Sequence, residues 1–71
     1  MTKRFPINNK VRELREQHGQ LSQSELGKIV GVTRQTIAAI EQRRYSPSLE
    51  VSFKIANYFN CDIGEVFQWE E

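Results

Sequence analysis

Two neighbouring polar side chains, Arg34 and Gln35, have the chemistry needed to read the edges of DNA base pairs. An arginine guanidinium can donate two hydrogen bonds to O6 and N7 of guanine, and a glutamine amide can pair with N6 and N7 of adenine. Both follow Thr33, which is suited to cap a helix. Ala38 and Ala39 would share their face and let that helix approach a groove closely. The alternative interpretation is that Arg34 and Gln35 are ordinary solvated surface residues.

No pattern typical of catalysis accompanies these side chains. His18 has no cysteine or second histidine at ligand spacing, so no metal site is expected. Asp62 and Glu65 fit a helix cap that opens a single turn better than a catalytic pair of carboxylates. Cys61 is interpreted as a small buried hydrophobe, with a redox-sensing role as the less favoured alternative. We therefore expect neither an enzyme nor a cofactor.

The residues that must position the two candidate base readers predict two short helices joined by a tight turn. Ser22 and Glu25 form an S-x-x-E capping box at the start of the first helix. Gly31 is placed to end it, and Thr33 caps the second. Residues 22–42 therefore predict a helix-turn-helix, which presents its second helix to a DNA major groove. The residues expected to face the core are Leu26, Ile29, Val30, Val32, Ile37 and Ile40.

A helix before this motif and a helix after it complete the expected core. Asn8 is expected to cap a first helix that runs to about Gln17. After the motif, residues 42–47 form a loop, and Ser48 caps a fourth helix that runs to about Asn60. The expected inward residues are Val11 and Leu14 on the first helix, and Leu49, Ser52, Phe53, Ile55, Ala56 and Phe59 on the fourth.

Both ends of the sequence alternate apolar and polar residues over stretches too short for a helix. Residues 4–7 predict an extended edge segment in which Pro6 is tolerated, and residues 66–70 predict a short strand. If they pair, they form a small antiparallel ribbon, which is marginal in isolation and needs cover for its apolar face. The expected cover is the same ribbon of a second copy, and the alternative is packing onto the chain's own core. The expected dimer-interface residues are Phe5, Ile7, Val66, Phe67 and Trp69.

Length and composition indicate one domain, residues 1–71, of cytoplasmic location. The lone cysteine fits a reducing compartment. The first ten residues contain no apolar signal-peptide core, and no apolar run approaches the roughly 20 residues that cross a membrane.

The net charge of +1 conceals an uneven distribution. The first 48 residues contain nine Lys or Arg and four Glu, whereas residues 49–71 contain one Lys and five Asp or Glu. The basic part is expected to face phosphates and the acidic part to face away. An ordinary solvated surface with uneven charge is the alternative.

These motifs together resemble the Cro/repressor-type helix-turn-helix family, often called the Xre family. The resemblance runs from Val11 to Glu71 and is carried by LRE at 14–16, SQSEL at 22–26, GVTRQTIAAIE at 31–41 and YSPSLEVSFKIA at 45–56. The FQWEE ending and the short extended start are similar to the short cytolysin-repressor type, which is homodimeric. The resemblance implies an all-α, five-helix lambda-repressor-like domain with a small antiparallel ribbon formed by the N- and C-terminal segments.

The resemblance also implies roles for individual residues. Gln23 would bind a phosphate and buttress the second helix of the motif. Arg15 and Glu41 would form a structural ion pair between the first helix and the end of the third. The base-facing positions implied are Arg34, Gln35 and Ala39. The phosphate-facing positions implied are Gln23, Thr33, Thr36, Arg43, Arg44 and Tyr45.

The sequence departs from the family pattern at two places. Gly27 stands where the family usually has alanine, at a position where only a small residue permits close helix packing; glycine costs about 1 kcal/mol of helix propensity relative to alanine. The turn at residues 18–21 is one residue longer than the common form, which predicts a shift in the start of the next helix.

Three functional hypotheses follow. The leading one is a sequence-specific transcriptional regulator, a repressor, that binds a near-palindromic operator in double-stranded DNA as a homodimer through the major groove. The alternative is an antitoxin-like module whose main partner is another protein, with secondary DNA binding. The third is a nonspecific nucleic-acid binder that relies on Arg43 and Arg44. No membrane and no small-molecule ligand is expected as a partner.

Overall fold

Five short helices and one two-stranded ribbon make up residues 6–70, the part of the protein that its computed structural model describes. The elements in chain order are β1 (Ile7–Asn9), α1 (Val11–Gln17), α2 (Gln23–Val30), α3 (Arg34–Glu41), α4 (Leu49–Tyr58), α5 (Ile63–Val66) and β2 (Phe67–Trp69). This confirms the expected five-helix, lambda-repressor-like fold with a small antiparallel ribbon. None of the helices described is long and apolar enough to cross a membrane.

The core collects apolar side chains from all five helices. Each of these side chains is at most 4% exposed: Val11, Leu26, Val30, Ile37, Ile40, Ile55, Ala56, Phe59 and Val66. Cys61, expected to be buried, packs against this core but remains partly exposed. Because α3 contributes Ile37 and Ile40 from one side, its opposite side is left on the surface.

Three apolar residues expected to face inward are exposed instead. On α4 the buried stripe runs through Ser52, Ile55, Ala56 and Phe59. Phe53 is turned about 100° from Ser52 on the helix and is 46% exposed. Leu49 lies on the same side of the helix as this stripe. It is the first residue of α4, however, and is 70% exposed. Ile29, beside the α2 stripe of Leu26, Gly27 and Val30, is 46% exposed.

The start of α1 differs from the expectation because the preceding strand runs farther along the chain. Asn8 lies within β1 and does not cap α1; its Oδ1 accepts a hydrogen bond from the N–H of Asn9 at 2.9 Å. Asn9 supplies the oxygen instead, since its Oδ1 accepts from the N–H of Val11 at 3.2 Å. Lys10 occupies the N-cap position without a side-chain hydrogen bond. Its N–H donates to the carbonyl of Val66 at 2.9 Å, which ties β1 to the end of α5.

The ribbon is antiparallel as predicted; within residues 6–70 its strands are Ile7–Asn9, which continues past the expected end at residue 7, and Phe67–Trp69, which is shorter than the expected 66–70. Ile7 pairs with Trp69, and Asn9 pairs with Phe67. The expectation for Phe5 lies outside the residues described. Val66 ends α5 and is completely buried, so it belongs to the core of its own chain and not to the exposed face of the ribbon.

Candidate nucleic-acid interface

The start of α2 is held by the predicted capping box. The N–H of Glu25 donates to Ser22 Oγ at 3.0 Å, and the N–H of Ser22 donates to Glu25 Oε1 at 2.9 Å. The hydrogen bond from the Ser22 amide, and then that from its hydroxyl, lower the pKa of the Glu25 carboxyl below its ordinary value of 4.5. This end of α2 is therefore fixed by contacts within four residues of sequence.

The turn between α2 and α3 requires two glycines for different reasons. Gly31 adopts a left-handed conformation with φ of 83°, and its N–H donates to the carbonyl of Gly27 at 2.8 Å. Gly27 has no room for a side chain, because a Cβ there would lie 2.6 Å from the carbonyl oxygen of Val32. The family's usual alanine would thus collide with backbone, and in this chain α2 and the turn pack more closely than a methyl group allows.

The start of α3 is capped as predicted and leaves its candidate base readers free. Thr33 Oγ1 accepts from the N–H of Thr36 at 3.1 Å and also lies 3.0 Å from Thr36 Oγ1. Arg34 and Gln35 are exposed, and neither side chain is hydrogen-bonded to any of residues 6–70. Ala39 is partly buried on α3 and presents only a methyl group. These are the properties required of a surface that approaches another macromolecule.

The expected ion pair between Arg15 and Glu41 fastens the first three helices together. Arg15 Nε donates to Glu41 Oε2 at 2.6 Å and Arg15 Nη2 donates to Glu41 Oε1 at 3.0 Å, which makes the pair bidentate. The side chains are only 12% and 7% exposed. The hydrogen bond to Glu41 is the largest cause that raises the pKa of Arg15 above its ordinary value. Gln23, at the start of α2, donates from Nε2 to Glu41 Oε1 at 3.1 Å, which is the expected buttress.

The longer turn between α1 and α2 is absorbed without loss of these contacts. Gly19 and Gln20 both take left-handed conformations, with φ of 70° and 56°. This reverses the chain so that the N–H of Leu21 donates to the carbonyl of Arg15 at 2.9 Å. Arg15 Nη1 in turn donates to the carbonyl of Leu21 at 2.8 Å. Gln23 therefore reaches Glu41 despite the extra residue.

Beyond α3, the structure separates the three residues that were expected to contact phosphates. Arg44 is exposed, and Tyr45 is 48% exposed. Arg43 differs from both: its Nη1 donates to Glu70 Oε1 at 2.6 Å, and its side chain is only 13% exposed. The expectation that Arg43 is presented to phosphates is therefore replaced by an internal ion pair with the residue that follows β2.

Two residues at this end of α3 were not predicted from the sequence. Asn9 donates from Nδ2 to the carbonyl of Ile40 at 2.9 Å, and Glu70 accepts from Arg43. The contacts join residues 31 and 27 positions apart, so no local spacing could reveal them. The sequence offers two consecutive asparagines, Asn8 and Asn9, either of which can cap a helix, and Asn8 was the residue predicted to cap α1.

Comparison with known proteins agrees with this geometry. The model of the helix-turn-helix family matches residues 11–66. An uncharacterized HTH-type transcriptional regulator of Bacillus subtilis, YgzD, is 51% identical over 65 residues, which are 92% of this chain and 97% of that protein. An uncharacterized HTH-type transcriptional regulator of Methanocaldococcus jannaschii is 45% identical with the same two coverages. One of Methanothermobacter thermautotrophicus is 56% identical over 62 residues, 86% of this chain and 88% of that protein.

The matched range contains the capped α2, the glycine turn and the exposed face of α3. Because the family model covers most of the chain, and because relatives of nearly equal length share up to 56% of their aligned residues, the assignment does not depend on one motif. This chain belongs to the Cro/Xre family of helix-turn-helix transcriptional regulators.

Proposed function

We propose that this protein is a repressor that reads a near-palindromic operator as a homodimer, with α3 of each copy in the major groove. The observation that carries the proposal is the division of α3 into two faces. Ile37 and Ile40 hold one face in the core, while Arg34 and Gln35 in the first turn are exposed and have no hydrogen-bond partner among residues 6–70. Repression then follows from occupation of a promoter by the bound dimer.

Base reading is assigned to Arg34 and Gln35, and Ala39 permits the close approach. Each good bidentate contact discriminates against a wrong base by about 1–3 kcal/mol. The phosphate-facing residues are proposed to position α3 without specifying sequence. They are Gln23, Thr33, Thr36, Arg44 and Tyr45. Gln23 is supported in this role by its hydrogen bond to Glu41, which fixes it at the junction of α2 and α3.

A homodimer is supported by the apolar surface that the ribbon leaves uncovered in one chain. Trp69 is 68% exposed at the end of β2 and is paired with Ile7. An open cleft of about 360 Å³ lies beside it, with mainly apolar lining by Ile7, Pro47, Leu49, Ser52, Ile63 and Phe67. Aromatic side chains in such a surface are enriched in protein interfaces. A second copy related by a twofold axis would present the same surface, so that each copy covers Trp69 and the cleft of the other.

The size of one subunit suits this arrangement. Residues 6–70 measure 33 × 24 × 22 Å. Successive major grooves on one side of a duplex are about 34–36 Å apart, so two subunits side by side can place their α3 helices one helical turn apart. The half-site spacing of the operator is therefore a prediction of the proposal.

Selection of bound duplexes from a random DNA library at near-physiological salt tests the proposal. The expected result is an enriched inverted repeat with half-sites about one helical turn apart. Binding that is steeply salt-dependent but enriches no motif would favour the nonspecific nucleic-acid binder. A folded protein that retains no duplex would refute the regulator proposal and direct attention to an antitoxin-like role with a protein partner.

Sedimentation of the wild type and of Trp69→Ala tests the dimer separately. We expect a species of twice 8.3 kDa for the wild type at micromolar concentration and dissociation in the variant. Tyr58→Ala is the matched control, since Tyr58 is a 43% exposed aromatic residue that lies on α4 and not on the ribbon. A purely monomeric wild type, or equal dissociation in both variants, would contradict the assigned interface.

A further inference from the structure

The C-terminal end of the recognition helix α3 is held from outside by the terminal ribbon. The last carbonyls of a helix lack intrahelical partners and must be satisfied by other donors. The carbonyl of Ile40 accepts from the N–H of Arg43 at 3.0 Å and from Asn9 Nδ2 at 2.9 Å. Asn9 is the last residue of β1, so the first strand of the ribbon supplies a donor to the end of α3.

The second strand contacts the same turn through Glu70. Its Oε1 accepts from Arg43 Nη1 at 2.6 Å, and its Oε2 accepts from Asn8 Nδ2 at 3.3 Å. The N–H of Glu70 donates to the carbonyl of Pro6 at 2.6 Å, which keeps the carboxylate beside β1. The carboxylate therefore bridges the ribbon and the residue that follows the end of α3.

The backbone at Arg43 adopts a conformation that an arginine rarely takes. Arg43 has φ of 60°, a left-handed conformation that usually belongs to glycine or asparagine at this position after a helix. The N–H groups of Arg43 and Arg44 donate to the carbonyls of Ile40 and Ala39, as in a Schellman motif. After α4 the equivalent left-handed residue is Asn60. A strained residue persists where its surroundings determine its conformation, and here Glu70 holds the guanidinium.

We propose that Asn9 and Glu70 are positioning residues through which the ribbon sets the orientation of the recognition helix, so that the ribbon and base reading are coupled. Such coupling is reciprocal. DNA binding therefore stabilises the ribbon, and a ribbon stabilised by contact with a second copy increases the discrimination between DNA sequences. This rests on the proposed function for its DNA-binding part. It assigns roles that neither the helix-turn-helix motif nor the exposed face of α3 provides.

Two variants remove one contact each. Asn9→Asp keeps the oxygen that caps Val11 but places a carboxylate oxygen against the carbonyl of Ile40. Glu70→Gln removes the charge that holds Arg43. Glu50→Gln is the matched control, because Glu50 is 77% exposed and pairs with Lys54 within α4.

The DNA measurement is the ratio of affinities for the selected operator and for a scrambled duplex. We expect this ratio to fall about fivefold in Asn9→Asp and in Glu70→Gln, the low end of typical coupling. Glu50→Gln should change both affinities equally. A ratio that stays at the wild-type value in both test variants would overturn the positioning role.

Amide hydrogen exchange without DNA makes the test independent of the proposed function. The amides of Arg43 and Arg44 should exchange faster in both variants, while that of Leu26 in α2 should be unchanged. The effects of Glu70→Gln and Arg43→Gly should be non-additive, since both remove the same contact. Unchanged exchange at Arg43 and Arg44 would refute the coupling. If the wild-type protein prefers no DNA sequence, the proposed function is refuted instead. Amide exchange at Arg43 and Arg44 would then still decide whether the ribbon holds the C-terminal end of α3.

Discussion

Replacement of Arg15 by alanine should be among the most damaging single changes to this fold. Arg15 donates to Glu41 twice and to the carbonyl of Leu21 once, so its loss leaves a carboxylate and a carbonyl without those donors. The Glu41 side chain is 7% exposed, and among residues 6–70 it would retain only the hydrogen bond from Gln23. Water cannot readily replace the guanidinium at a side chain buried to this degree.

The magnitude follows from the burial of the pair. Removing one partner of a buried ion pair lowers the free energy of unfolding by about 3–5 kcal/mol. Because the Arg15 side chain is still 12% exposed, we expect a loss near the lower end, about 3 kcal/mol. A chain of 71 residues has a total stability of about 4–10 kcal/mol, so the variant should lose about 30–75% of it. The melting temperature should fall by about 12–24 °C, because each kcal/mol corresponds to about 4–8 °C in a domain of this size.

Arg12→Ala is the matched control on the same helix. Arg12 pairs with Glu16 at 3.3 Å, and the two side chains are 70% and 56% exposed. Such a surface pair contributes about 0.3–0.5 kcal/mol, so the control should be nearly neutral.

Urea unfolding followed by circular dichroism at pH 7 compares the two variants. The double variant Arg15→Met/Glu41→Leu should regain much of the loss, because no unpaired charge then remains buried. Equal, sub-kcal/mol losses for Arg15→Ala and Arg12→Ala would refute the argument that this pair fastens the first three helices.

Three further changes test other parts of the structure. Gly27→Ala should lower the free energy of unfolding by about 1–2 kcal/mol despite its better helix propensity, because its methyl group would lie 2.6 Å from the carbonyl oxygen of Val32; a gain in stability by urea titration would contradict the close turn. Gln20→Gly should raise the free energy of unfolding by up to about 1 kcal/mol, because it relieves a left-handed φ of 56°; a loss in thermal unfolding would contradict that backbone conformation. Glu25 has a lower pKa folded than unfolded, so its stabilising effect is complete above pH 4.5 and is lost as the pH falls through the folded pKa; Glu25→Gln should flatten the acid loss in urea titrations from about pH 5 to 3, and a variant curve parallel to the wild type would argue against this cap.

The parts of the fold that depend on neighbouring residues were predictable from the sequence. The caps at Ser22 and Thr33 and the turn at Gly31 follow from chemistry within four residues, and the structure contains all three. Periodicity located α4 but misplaced two of its side chains: Phe53 lies beside the buried stripe, whereas Leu49 lies on its side of the helix but is exposed at the first position of α4. A pattern of apolar spacing gives the direction of a side chain and not the extent of the partner surface.

The contacts of the candidate site also differ in whether the sequence could reveal them. The pairing of Arg15 with Glu41 came from the family resemblance, because no local rule connects residues 26 positions apart. The contacts of Asn9 and Glu70 had no such source, and they involve the ends of a ribbon whose pairing register the sequence did not predict. Registers of short strands are weakly specified by sequence, since three residues carry little alternation.

Base reading by Arg34 and Gln35 of α3 is tested by repeating the duplex selection with Gln35→Ala. The variant should still enrich an inverted repeat of the same spacing but lose its preference at one position in each half-site. The corresponding cost at that position should be about 1–3 kcal/mol on the wild-type operator. Affinity for random duplex should change little, because phosphate contacts supply it. A variant that selects the wild-type motif unchanged, or that loses equal affinity for operator and random duplex, would contradict the account.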